Sequence, residues 1–310
     1  MAYHPRIESK THASFLTTRS IRSELWFINN RPLEEAILAY AAKFADRYSV
    51  KLYGLAIEGN HIQGPALFPK ANRAAFMRDF NSCVARAIPR YTPEHGGGRF
   101  WGRRYSSEFL LAPEDIEEYF FYTVLQPVQD GLVEKISEYP RYNCFHDAVC
   151  GISRRYKFVE WGEYNAKKRY NSNASIRDYT RVVHLKYDRL PGYEHLSQKE
   201  YIKVMSEKLE GRRIAIVKAR YAAGGSFMGR EKLLRLKRGS IPKKTKTSSL
   251  TSHRPRILSV CNKRRAEGRA WYFQIYFDYK AASREYRAGN VAVRFPQGTY
   301  RPYCPQIPPD

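Results

Sequence analysis

The chain has 310 residues and carries 54 Lys and Arg against 30 Asp and Glu, a formal charge of +24. That length suits one well-buried domain plus a smaller second unit. The charge is far beyond what solubility needs and points to a polyanion, nucleic acid first, while no stretch approaches the ~20 apolar residues of a membrane span, so no membrane partner is expected.

Ala13–Ser20 (ASFLTTRS) reads as a short strand. The following PLEEAILAYAAKFADRYS places Leu33, Ile37, Ala41 and Phe44 at helical spacing, with Pro32 suited to a first turn. VKLYGLAIE (Val50–Glu58) and HIQGPALF read as two strands joined by a tight turn at Gly59 and Asn60. On such a hairpin His61 and Gln63 share one side, because strand side chains alternate. A second helix is expected from about Asn72 to Ile88, ended by Pro89 and the YTPEHGGG tract. GRFWGRRYSSEFLL (Gly98–Leu111) returns as a strand, and PEDIEEYFFYTVLQ (Pro113–Gln126) is a helix with proline at its start and just past its end.

This order predicts an α+β fold, a ferredoxin-like split βαβ antiparallel sheet with one further helix, over residues 1–150. Residues 151–310 are expected to form a basic, mostly helical C-terminal extension. Ser197–Ala222 opens with a Ser197/Glu200 capping box, a last helix spans about Lys263–Ala288, and Gly239–Pro255 reads as a linker. Gly151–Gly192 mixes aromatics and cations without clear period, and the proline-rich tail FPQGTYRPYCPQIPPD reads as an extended strap or a disordered segment. The five cysteines form no CxxC pair, so neither a disulfide framework nor a zinc module is expected.

Two places could carry chemistry. Residues four apart on a helix share a face, so Tyr122 and Gln126 can present a phenol and an amide oxygen to one point. An imidazole with amide oxygens, as His61, Gln63 and Gln126 would supply, suits Mg²⁺ or Mn²⁺ completed by water and substrate phosphate, and suits structural zinc poorly. Taken singly, His61 also reads as a packing residue and Tyr122, one of 24 tyrosines, as core. Arg19, Arg22, Arg103 and Arg104 could line a groove for nucleic acid, with Trp101 or Tyr105 as stacking platforms. Lys243, Lys244, Lys246, Arg254 and Arg256 lie in the linker-like tract, where they could fold onto phosphate.

NHIQG (Asn60–Gly64), GRFWGRRYS (Gly98–Ser106) and YTVLQPVQDGLV (Tyr122–Val133), followed by EYP, come in an order that resembles the REP-associated tyrosine transposases, within the single-tyrosine HUH class of insertion-sequence transposases. Those proteins show a strand-borne NHVHLL, a strand with FW and arginines, and a helix ending YIxxNPVxxGLV. The match covers about Ser14–Asp147, and the later phrases GREKL, TSHRP and FPQGTYRP resemble extensions on longer relatives. The resemblance implies Tyr122 as nucleophile, with His61 and Gln126 as ligands of Mg²⁺ or Mn²⁺. Gln63 stands where a second histidine is usual, though some related replication initiators use a His-x-Gln pair.

The implied activity is nicking and strand transfer on single-stranded, palindromic or hairpin-forming DNA through a 5′-phosphotyrosine. The implied setting is the cytoplasm of a prokaryote, at the nucleoid, as a monomer or a homodimer. Two other readings remain open at this stage: a domesticated nucleic-acid-binding protein without turnover, and a rolling-circle replication initiator with the same chemistry. The absence of a GxxxxGK[ST] loop weighs against a self-sufficient initiator.

Overall fold

The structure, a computed structural model, describes residues 5–242 and 257–304. Its centre is a sheet of β1 (Ala13–Arg19), β2 (Lys51–Leu52), β3 (Ala56–Ile57), β4 (His61–Leu67) and β5 (Ser106–Leu110). The strands run in the order β2-β4-β1-β5, with β3 continuing β2 along β4, and every one of these pairings is antiparallel. With α1 (Arg31–Tyr48) after β1, α2 (Arg73–Tyr91) after β4 and α3 (Pro113–Gln129) after β5, this is the expected ferredoxin-like split βαβ fold plus one helix.

Side-chain alternation on β1 assigns the two faces. Ser14 Oγ accepts from Arg73 at the start of α2, at 2.9 Å, whereas Phe15 turns the other way, to the rings of Tyr119 and Tyr122 on α3. Helices α1 and α2 pack together on the first face, and their apolar stripe, including Leu33, Ile37, Ala41 and Phe44, is buried as the spacing predicts. Helix α3 occupies the second face, against β4.

Local features differ from the sequence expectation in three places. Helices α2 and α3 run past Pro89 and Pro127, where breaks were expected. A proline in the last turn forfeits only one backbone bond, and the next turns still close, with Thr92 N–H donating to Ile88 O and Asp130 N–H to Gln126 O at 2.7 and 2.9 Å. The strand expected over 98–111 shortens to β5, because Gly96, Gly97 and Gly98 adopt left-handed φ and Trp101 keeps only an isolated bridge to Ser20. Between β2 and β3 the register shifts from Leu52↔Ala66 to Ala56↔Gln63, so three residues face two, a β-bulge.

The later elements wrap this core. After α4 (Phe145–Cys150), β6 (Arg154–Val159) and β7 (Thr180–Leu185) form an antiparallel hairpin around α5 (Trp161–Lys168). The hairpin docks on α1, where Lys43 pairs with Glu160 at 2.6 Å and lies over Phe158. No strand was read in this stretch; its exposed Arg154, Arg155, Lys157 and Arg181 mask the alternation. Helix α6 (Gln198–Ala222) begins at the predicted Ser197/Glu200 capping box and lies along α3. After α7 (Arg230–Leu234), β8 (Ile257–Leu258) adds parallel to β5, and α8 (Asn262–Arg287) packs Trp271 and Tyr272 against Ile7, Phe109 and Ile257. The start of the tail runs as a strap, with Glu8 N–H donating to Gly298 O at 2.8 Å. All five cysteines are free. Among the described residues no helix is long and apolar enough to cross a membrane.

The bulge sets a close approach of two backbones: a Cβ on Gly64 would overlap the Gly54 carbonyl. Gly64→Ala is therefore expected to cost about 1–3 kcal/mol as an overpacking change, read as a lowered thermal midpoint; an unchanged midpoint would show that the bulge tolerates a side chain.

Candidate active site

Strand β4 and helix α3 build the site between them. His61 and Gln63 alternate with the core residue Ile62, so both turn toward α3. Gln126 answers from the helix: its carboxamide nitrogen is 3.0 Å from His61 Nε2, and its oxygen accepts from the Gln63 amide. Three polar side chains separated by some sixty residues of sequence thus meet in the interior, each with no more than 5% of its surface exposed. Asn60 Oδ1 lies 2.8 Å from His61 Nδ1. An Nδ1–H donated there leaves the Nε2 lone pair facing Gln126, the tautomer a metal-binding imidazole needs.

Tyr122 lies one turn before Gln126 on the same face, half-buried, with its ring against Phe15 and Tyr119 at 5.7 and 5.8 Å. Burial raises its phenol above the usual range and the carboxylate of Asp130 adds to this, while the Arg19 guanidinium opposes both. Arg19 is the direct cross-strand partner of His61, on the same face of the sheet. Its own pKa is lowered by burial, with Asp130 and Tyr122 acting against the shift. The cation expected to line a groove therefore sits inside the site, beside the phenol.

The remaining expected binding residues cluster at the end of β1. Ser20 bridges to Trp101, Ile21 N–H donates to Phe100 O at 2.8 Å, and Ser20 N–H donates to Asn60 O at 2.9 Å. This gathers Arg22, Trp101, Arg103 and Arg104 beside the Asn60–His61 corner, with the three arginines exposed. Trp101 is half-buried, its Nε1–H donating to Asn81 O and its ring packed on Phe100, so only part of it is open to a base. Tyr105 is buried, and Arg6 already covers its ring at 3.8 Å. Lys243, Lys244, Lys246, Arg254 and Arg256 lie outside the described residues, although the chain leading to them is anchored near this corner, where Leu25 N–H donates to Ser240 O at 2.9 Å.

Two acidic residues of the site were not singled out from the sequence. Asp130 Oδ2 lies 3.3 Å from the Gln126 amide nitrogen; the fourfold spacing Tyr122, Gln126, Asp130 was the available signal. Glu58 stands opposite His61 across the two-residue Gly59–Asn60 turn, its N–H donating to His61 O at 2.8 Å. Its carboxylate is buried and accepts from Tyr139 Oη at 2.9 Å. Burial pushes its pKa up from 4.5 to about 7.

Among the described residues no group of three or more His, Cys, Asp or Glu side chains is gathered to hold a metal ion. The donors available are one oriented imidazole and two carboxamides, whose oxygens suit Mg²⁺ or Mn²⁺ better than structural zinc but bring no negative charge of their own. His61, Gln63 and Gln126 are the residues that would hold it.

No family model matches the sequence, and no curated protein matches it. The structure is similar in part to that of a REP-associated tyrosine transposase bound to a REP hairpin, at 17% identity and a TM-score of 0.39 over 47% of this chain and 84% of that one. A candidate transposase from Deinococcus radiodurans R1 is similar at 14% identity and a TM-score of 0.27, over 32% of this chain and 78% of that one.

The raised Glu58 carboxyl makes stability depend on pH. Because its folded pKa of about 7 exceeds the ordinary 4.5, its contribution is complete below about 4.5 and is lost as pH rises through 7, on the order of 3 kcal/mol in all. Thermal melts in chelator across this window should fall more steeply for the native chain than for Glu58→Gln; identical slopes would mean that Glu58 ionises as freely as in water.

Proposed function

We propose that the chain is a metal-dependent, single-strand DNA endonuclease and strand transferase of transposase type, with Tyr122 as nucleophile. The observation that carries this reading is the convergence of His61, Gln63 and Gln126 at one buried point, with Tyr122 a helical turn away and Arg19, the cross-strand partner of His61, acting on the phenol. A phenol, a polarising site and a cation brought together are the groups that a phosphodiester exchange needs.

In the proposed reaction the Tyr122 oxygen attacks the phosphorus of a DNA phosphodiester. A bond to tyrosine forms, the bond to the 3′ oxygen breaks, and the phenol proton is passed on as that oxygen leaves as a hydroxyl. The product is a 5′-phosphotyrosine, which a DNA 3′-hydroxyl can attack in turn, so strands are rejoined without ATP. Arg19 lies where its charge favours the phenolate over the phenol, and it can face the phosphate as charge develops. A divalent ion held by His61, Gln63 and Gln126 would supply positive charge to the non-bridging phosphate oxygens. The exposed Arg22, Arg103 and Arg104 at the corner offer contacts for the sugar-phosphate backbone, with Trp101 at their base. A palindromic or hairpin-forming single strand is the substrate we infer.

Incubation with end-labelled, hairpin-bearing single strands and Mg²⁺ or Mn²⁺ should give a protein–DNA adduct that Tyr122→Phe abolishes and His61→Ala suppresses. Salt-sensitive DNA binding without any adduct, unchanged by chelator or by His61→Ala across a broad hairpin library, would leave a binding protein without turnover in its place.

A further inference from the structure

Along α3 and its C-terminal cap, Tyr122, Gln126 and Asp130 recur every fourth residue, so they form one stripe, half-buried at Tyr122, buried at Gln126 and exposed at Asp130. The Gln126 amide nitrogen stands at the middle of that stripe, 3.0 Å from His61 Nε2 and 3.3 Å from Asp130 Oδ2. One electropositive group thus draws an imidazole lone pair from the strand and a carboxylate oxygen from the helix end toward the same point. An NH₂ group is a weak centre for such a pair of acceptors, and a divalent cation would engage both far more strongly.

The charge balance argues in the same direction. An imidazole that offers Nε2 to a cation while its Nδ1–H faces Asn60 adds no charge to a site, and the carboxamides of Gln63 and Gln126 add none. Hard divalent cations in protein sites are held through one or two carboxylates as a rule. Glu58, the other nearby acid, is buried with its Oε2 accepting from Tyr139, whereas Asp130 is exposed and its Oδ2 already lies beside the Gln126 amide nitrogen.

We propose that Asp130 is the charged ligand of the divalent-cation site, supplying through its carboxylate the negative charge that the neutral carboxamide at Gln63 does not. The two ends of a carboxamide are nearly the same size, so Gln126 can turn its oxygen toward the cation while His61 Nε2 and Asp130 Oδ2 stay in place. This rests on the metal-assisted reading above. It gives Asp130 two effects on Tyr122: its carboxylate charge disfavours the phenolate, and a cation held there would offset that opposition.

The test is Mn²⁺ binding to the full chain without DNA, followed by the electron paramagnetic resonance signal of the free ion. Asp130→Asn should weaken binding by roughly tenfold or more, and Asp130→Glu should restore part of the affinity. The deficit of Asp130→Asn should persist at about 0.5 M salt, where a charge acting only at a distance is screened. Equal affinity of Asp130→Asn and the native chain, or a deficit that disappears in salt, would overturn the ligand role while leaving a metal site at His61, Gln63 and Gln126. No Mn²⁺ binding by the native chain at all would overturn both. Circular dichroism of the variants in chelator separates ligand loss from misfolding.

Discussion

Everything in the site depends on one contact, that of the Gln126 side chain on α3 with His61 and Gln63 on β4. Buried polar groups in a low-dielectric interior must find partners, and leaving one unsatisfied costs about 1–3 kcal/mol. Here the three satisfy one another, so the same hydrogen bonds that let them be buried also hold them in a ligand-like cluster. The arrangement tolerates little displacement. A one-residue slip of β4 would turn His61 and Gln63 into the opposite layer and bring Ile62 under the helix.

The elements after residue 150 act on this contact from outside. Helix α6 grips α3 through Lys208, 2.8 Å from Glu117, and through Arg212, which pairs with Glu118 at 2.5 Å and covers the Phe121 ring. At the N-terminal end of α3, fully buried Asp115 accepts from Val260 N–H at 2.8 Å, just beyond β8, and from Leu111 N–H at 3.3 Å, so the added strand is tied to the start of the helix. Sheet, α6 and the β8 segment together fix the helix that presents Tyr122. The extension thus supplies rigidity as well as positive charge, and a constellation held on packed elements is positioned more finely than one on loops.

Much of this was legible in the sequence because it follows from local periodicity. Tyr122 and Gln126 share a face by helical spacing, His61 and Gln63 by strand alternation, and the Gly59–Asn60 turn fixes the hairpin that bears them. What periodicity cannot supply is register between distant strands. The pairing of Arg19 with His61 comes from β1 lying beside β4, and it brings an arginine from the expected groove to the side of the phenol. Glu58 and Asp130 were reachable by the same reasoning, one from the two-residue turn and one from the fourfold spacing, yet acids within a strongly basic chain read first as solvated charge. The β6–β7 hairpin was not legible because its outer face is cationic and its inner face is defined only by α1 beneath it. Prolines 89 and 127 misled for a related reason: a proline near a helix end marks the approach of the terminus rather than its last residue.

Anomalous diffraction from crystals of the full chain soaked in Mn²⁺ tests the central claim most directly. A single strong peak is expected within bonding distance of His61 Nε2 and the carboxamides of Gln63 and Gln126, with the Tyr122 hydroxyl turned to the same point. A peak elsewhere on the surface with none at this point, or a Tyr122 hydroxyl directed into the hydrophobic interior, would contradict the site as described.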